Sequence, residues 1–230
     1  MPVAVITGAS RGLGRALATE LAGRGWSLVL DARSEQTLAE AVAHLAGGPH
    51  RAVPGDVTDA DHRRALAAAA DELGGADLLV NNASTLGASP LPSFADLDPA
   101  TYADVLAVNV VAPMALVREL LPGLRERRGR VLDISSDAAV EPYETWGAYG
   151  SSKAALDQAT RILAAEEPTL RVYSVDPGDM RTQMHQDAFP GEDISDRPEP
   201  ESAVPALLRL VSGDLPSGRY RASDLAAVTA

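Results

Sequence analysis

Short apolar runs alternate with amphipathic stretches along almost the whole chain, and that alternation leaves few architectures open. Apolar strand patterns lie at 3–6, 28–30, 78–80, 131–134 and 171–175, with a weaker one near 51–53. Between them, residues 12–24, 35–46, 58–73, 99–127 and 146–166 carry apolar residues at helical spacing, with Thr58 or Asp59 capping the third. The tail adds a helix near 202–211 and a short strand around 217–221. Strands that alternate with helices pair in parallel through right-handed crossovers. The expected fold class is therefore α/β, a doubly wound parallel sheet with helices on both faces, built from residues 1–230 as one domain. Only 183–201, rich in Pro, Asp and Glu, breaks the rhythm. At that length it reads as a lid or a disordered insertion.

Composition removes several function classes. The 230 residues are 46% hydrophobic, enough for a substantial core, and the net charge of −12 argues against binding nucleic acid or anionic lipid by charge. With no cysteine, there is no disulfide, thiolate metal site or cysteine nucleophile. The histidines His44, His50, His62 and His185 lack metal-site spacing, so no metal is expected. No apolar run looks long enough to cross a bilayer, and the start of the chain carries no targeting pattern. A cytoplasmic protein with no membrane partner is the expectation.

Two clusters carry chemistry. The first is Thr7-Gly8-Ala9-Ser10-Arg11-Gly12-Leu13-Gly14, between the first strand and the first helix. A doubly wound sheet binds a dinucleotide at such a turn: Gly8 permits the bend, Gly12 lets backbone approach pyrophosphate, and Gly14 lets the helix pack closely. The second is Tyr149-Gly150-Ser151-Ser152-Lys153, whose ends share a helical face. Lys153 is the only lysine of the chain, beside 19 arginines. A cation there favours phenolate, so Lys153 is expected to lower the Tyr149 pKa and fit it for acid–base work. Ser136, after the strand at 131–134, is placed to polarise the same substrate oxygen.

Taken together these motifs resemble the classical short-chain dehydrogenase/reductase family, from about residue 3 to 182, with Ser217–Tyr220 similar to the family's last strand. The resemblance implies a Rossmann-type fold and a catalytic tetrad of Asn109, Ser136, Tyr149 and Lys153. It implies that Asn109 anchors a water in a proton relay to Lys153. For the cofactor it implies the Gly8–Gly14 turn (Ser10, Arg11 and Leu13 included), Asp56 and Val57 at the adenine, and Asn82 and Ala83 after the fourth strand. Pro177, Gly178, Met180 and Thr182 would grip the carboxamide, while Tyr149 and Lys153 meet the nicotinamide ribose. Ser84, Asp133 and Asp176 depart from the family's usual Gly, Asn and Asn. At the end of the second strand the resemblance puts Ala32 where an NAD enzyme has its acid and Arg33 where an NADP enzyme has its base, with Arg11 a second phosphate contact. NADP(H) is thus expected, with NAD the alternative if Asp31 is the acid that meets the ribose. The function implied is interconversion of a carbonyl compound and an alcohol by hydride transfer; the alternative is a non-catalytic NADP-binding regulator. An enzyme using the dinucleotide transiently, such as an epimerase, would need a larger C-terminal domain. Candidate pocket residues are Thr85, Leu86, Asp137, Val140, Tyr143, Trp146, Met184 and His185, and the family habit is a homodimer or homotetramer built through the helices around 101–127 and 147–166.

Overall fold

The computed structural model describes residues 1–226. Seven strands form one sheet: β1 (Val3–Ile6), β2 (Ser27–Ala32), β3 (His50–Pro54), β4 (Leu78–Asn81), β5 (Arg130–Ile134), β6 (Arg171–Asp176) and β7 (Gly218–Arg221). Their order is β3-β2-β1-β4-β5-β6-β7, and every pairing is parallel. The helices are α1 (Gly12–Gly23), α2 (Glu35–Ala43), α3 (Ala60–Glu72), α4 (Pro99–Leu106), α5 (Ala112–Arg127), α6 (Gly147–Glu166), α7 (Gln183–Ala188), α8 (Val204–Ser212) and α9 (Ala222–Ala226).

The alternation of strand side chains divides the core in two. Ala4 and Ile6 of β1 point into a cluster with Leu17 and Leu21 of α1, Leu38 of α2 and Leu207 and Leu210 of α8. Val3 and Val5 point the other way, against Leu66 of α3, Leu116 and Leu120 of α5 and Leu163 of α6. Covered on both faces, β1 is apolar throughout rather than alternating, and the other inner strands are buried on both sides with only a few polar residues such as Asp31 and Asp133. Asp59 caps α3 through the Asp61 N–H.

Three expectations need correction. The helix expected over 99–127 is interrupted: Ala107–Val111 is π-helical, and Asn109 sits in that segment. One extra residue per turn re-aims side chains, which is why such bulges collect at functional sites. The expectation that no stretch is apolar and long enough for a bilayer also fails, because Pro99–Arg127 passes by length and composition. Its apolar side, Leu116, Val117, Leu120 and Leu124, packs on the sheet. Finally, 183–201 is not irregular throughout. Thr182 caps α7, its hydroxyl accepting the His185 N–H, and Pro200–Ala203 forms a 3-10 turn leading into α8.

β1 is the switch point. The chain moves outward from it to β2 and β3, then crosses back to β4 on its other side. A crevice opens at the carboxyl ends of the strands where that reversal occurs.

Candidate active site

Most of the segments singled out in the sequence leave a strand at this carboxyl edge, and a cleft of about 2310 Å³ runs along it. Its lining includes Gly8, Ser10, Arg11, Gly12 and Leu13 after β1, Arg33 after β2, and Asp56 and Val57 after β3. It continues with Asn82 and Ala83 after β4, Ser136 after β5, Tyr149 and Lys153 on α6, and Pro177, Gly178, Met180 and Thr182 after β6. Gly14 and Asn109 do not line it; each acts from one layer behind.

The glycine turn has the shape a phosphate cradle requires. Gly8 and Gly12 hold φ of +64° and +56°, which a side chain would strain. Gly14 is packed: a Cβ there would stand 2.5 Å from Asn82 Nδ2 and 2.6 Å from the Gly8 carbonyl oxygen. Asn82 ties the turn to β4, its amide donating to the carbonyls of Thr7 (2.9 Å) and Gly8 (3.1 Å). The Thr7 hydroxyl, for which the motif's spacing suggests no role, completes the knot by accepting the N–H groups of Asn82 and Ala83, both at 3.0 Å. A pyrophosphate-bearing dinucleotide fits these residues: bare backbone faces the cleft, and among the described residues neither Arg11 nor Arg33 forms an ion pair. Asp56 is held below the usual carboxylate range, chiefly by the Thr58 hydroxyl and N–H.

At the other end, Tyr149 is buried beside Leu86 and Ala138, with Leu91, Trp146, Met184 and Ala188 packed around them. Burial pushes its phenol well above the ordinary range; hydrogen bonds with Ser136 and Ser84 oppose the shift, and Asp137 and Asp176 add to it. The net shift of Tyr149 is therefore upward, where the sequence reading expected Lys153 to bring it down: burial outweighs the ammonium, which lies 5.4 Å from the centre of the phenol ring. Lys153 is itself pushed down to about 8 by desolvation, against the attraction of Asp133 and Asp157. Its Nζ donates to the Ile134 carbonyl at 2.7 Å, which leaves two of its three N–H donors for other partners.

Asn109 is saturated. Its Oδ1 accepts the Ser84 hydroxyl (3.1 Å) and the Thr85 N–H (2.9 Å), while its Nδ2 donates to the Thr85 carbonyl (2.9 Å) and the Ser152 hydroxyl (3.0 Å). The side chain has no group left to hold a water, so its observed work is to fasten the segment after β4 to α6, beside Tyr149. Ser136 accepts the Ala138 N–H and donates to Asp137 Oδ1 at 3.0 Å; Asp137 Oδ2 accepts the Tyr143 hydroxyl at 2.8 Å.

The three departures from the family pattern acquire partners. Ser84 donates to Asn109 and is among the groups that hold the Tyr149 shift down. Asp133 is fully buried, accepts from Asn81 and Thr160 at 2.7 Å each, and is pushed up to about 6 by desolvation. Asp176 accepts the Gly178 N–H and lies 3.9 Å from Arg219. Arg219 also meets Asp157 and donates to the Ser136 carbonyl at 2.9 Å. Nothing near Arg219 in the sequence pointed to that role.

Of the expected pocket residues, Thr85, Leu86, Asp137, Tyr143, Trp146, Met184 and His185 line the cleft. Val140 does not; it ends the short 3-10 turn after Ser136 and is half exposed. Phe189 joins them without any signal in the sequence. Its ring lies 5.9 Å from Trp146, and Trp146 stands edge-on to Tyr149 at 5.6 Å.

A doubly wound sheet with a glycine cradle at its switch point and a Tyr–Lys–Ser group across the same cleft defines a class, the nucleotide-dependent oxidoreductases acting on CH–OH or C=O groups. The family profile described as short chain dehydrogenase matches residues 2–193, and the chain belongs to that family. It is 37% identical to a sepiapterin reductase of Xenopus laevis over 197 residues, covering 79% of this chain and 74% of the relative. A short-chain dehydrogenase/reductase of Saccharomyces cerevisiae superposes with a TM-score of 0.91 at 26% identity, over 99% of this chain and 98% of the other. An alcohol dehydrogenase of Thermococcus sibiricus, complexed with 5-hydroxy-NADP, gives 0.82 at 26% identity, over 96% and 95% of the two chains. The chain is thus an oxidoreductase of the CH–OH/C=O type, and the α/β Rossmann-type fold is as expected.

Proposed function

We propose that this enzyme is an NADP-dependent reductase of carbonyl compounds, with Tyr149 as the general acid in reduction and the general base in oxidation. One observation carries the reading: Tyr149, Ser136 and Lys153 face the same cleft as two arginines, Arg11 and Arg33, that form no ion pair among the described residues. A guanidinium at the end of β2 suits a 2′-phosphate. Two likenesses support it, the relatives named as sepiapterin reductases and the NADP analogue in the Thermococcus neighbour.

The dinucleotide, when bound, supplies or accepts the hydride. The chain's residues manage the oxygen. A phenol raised by burial stays protonated at neutral pH, so Tyr149 is poised to give its proton to the oxygen that becomes an alcohol. Ser136 turns its hydroxyl from Asp137 to the same oxygen. As Tyr149 gives up its proton the ring gains negative charge, and the Lys153 ammonium over that ring stabilises it. The two free Lys153 donors suit the hydroxyls of a ribose.

The wall around Tyr149 is apolar and aromatic, from Leu86, Trp146, Met184 and Phe189, while Asp137 and Asp176 are the acids that act on its phenol. That lining favours a flat, uncharged carbonyl compound. A cytoplasmic location, no nucleic-acid or membrane partner, and a homodimer or homotetramer complete the proposal. The test is NADPH oxidation across aldehydes, ketones, diketones, quinones and 3-oxoacyl thioesters, with NADH and Tyr149→Phe alongside. NADPH-preferring turnover that vanishes in the variant supports the reading; turnover that survives in it refutes the mechanism.

A further inference from the structure

We infer that a buried pair, Asp31 of β2 and His62 of α3, selects the cofactor by taking a carboxylate out of play at the adenosine end of the cleft, leaving Arg33 alone to address the 2′ position. The inference rests on the NADP reading above. Alternation along β2 decides the geometry. Leu28, Leu30 and Ala32 point to the α1 face, so Asp31 points with Val29 toward α3. There His62 Nε2 meets Asp31 Oδ1 at 2.7 Å. A carboxylate only accepts, so Nε2 carries the hydrogen. The other oxygen, Oδ2, accepts the N–H of Gly8 at 3.2 Å, and the Asp31 main-chain carbonyl accepts the N–H of Ala9 at 2.8 Å.

Asp31 borders the cleft yet is only 2% exposed, with both carboxylate oxygens engaged. Room for the imidazole exists because residue 55 is glycine: a Cβ there would stand 2.3 Å from His62 Nδ1. A free carboxylate at this edge would accept a ribose 2′-hydroxyl and repel a 2′-phosphate. Bound to His62 and Gly8 it does neither, and it steadies the phosphate turn instead. Arg33, exposed and in no ion pair among the described residues, then meets the phosphate with one carboxylate fewer beside it; Asp56, whose charge Arg33 feels, is the acid that remains at this end. His62 is therefore a positioning residue that acts through Asp31.

The test measures Kd for NADPH and for NADH by fluorescence, in the absence of substrate, with a thermal melt on each variant to confirm folding. His62→Leu removes the donor at similar bulk; His62→Gln keeps an N–H donor. The expected result is an NADPH Kd weakened about tenfold in His62→Leu, with NADH changed far less. His62→Gln should return toward the parent, and Asp31→Asn/His62→Leu should regain NADPH affinity because no carboxylate remains. Parallel loss of NADPH and NADH in His62→Leu would overturn the inference, since the pair would then only hold the turn. Asp31→Asn, which keeps the shape, decides the matter if His62→Leu does not fold. Unchanged NADH binding supports sequestration, and collapse of NADH binding shows Asp31 on the ribose and overturns it. The parent's own preference between the two cofactors tests the NADP reading; the change in that preference tests this inference.

Discussion

Two glycines of α1 offer opposite outcomes from one substitution. Glycine in a helix costs about 0.5–1 kcal/mol relative to alanine, so Gly→Ala stabilises wherever the methyl fits. At Gly23 nothing lies within 4 Å of where the alanine methyl would stand, and Gly23→Ala should gain up to about 1 kcal/mol. At Gly14 the methyl would meet Asn82 Nδ2 at 2.5 Å and the Gly8 carbonyl at 2.6 Å. Backbone must move there, at about 1–3 kcal/mol of overpacking. Displacing Asn82 also weakens its bonds to Thr7 and Gly8, at about 1 kcal/mol each. The helix gain is outweighed, and a net loss of about 2–4 kcal/mol is expected. For a chain of this size, about 2–4 °C per kcal/mol, Gly14→Ala should melt roughly 5–15 °C lower and Gly23→Ala a few degrees higher. Calorimetry reads both, and NADPH titration should show weakened binding only for Gly14→Ala, because the cradle moves with Asn82. A Gly14→Ala protein that melts at or above the parent temperature would refute the close-packing argument.

Tyr149→Phe should cut kcat at least about a hundredfold in steady-state assays while leaving NADPH binding close to the parent. Because Lys153 holds its proton only below about 8 and stabilises the charge that grows on Tyr149, kcat/KM for reduction should fall as pH rises through about 8. A flat profile from about pH 7 to 9 would exclude that role. Asp133, pushed up to about 6 from 3.8, binds protons more readily folded than unfolded, so its contribution to stability is present below 3.8 and is lost as pH rises through about 6. Asp133→Asn should flatten the melting temperature across that window, as melts between about pH 4 and 7 would show. Arg33→Ala should weaken NADPH at least about tenfold while sparing NADH, measured by titration; equal losses would mean Arg33 does not read the phosphate.

Much of the site was legible because its parts are local. The Tyr149–Lys153 spacing places two side chains on one helical face whatever surrounds it, and the turn from Gly8 to Gly14 follows from a strand, three glycines and a helix. The π-helical break at Ala107–Val111 was not legible, since its residues continue the helical pattern on either side; it shows only where Asn109 reaches Thr85 and Ser152 together. The segment after Thr182 read as irregular because proline and acids dominate it, yet one threonine cap suffices for a short helix.

The sequence by itself determined the order of strands and helices, the parallel sheet, the phosphate turn and the Tyr149–Lys153 pairing on one helical face, because periodicity and spacing act over a few residues. The tertiary structure alone decided which charges are silenced and which remain active. Asp31 finds His62 across 31 positions, and Arg219 reaches the Ser136 carbonyl across 83. The Tyr149 phenol rises rather than falls because burial outweighs a cation that lies over its ring. Such balances depend on what excludes water and what stands within hydrogen-bond reach, and only the folded chain brings those groups together.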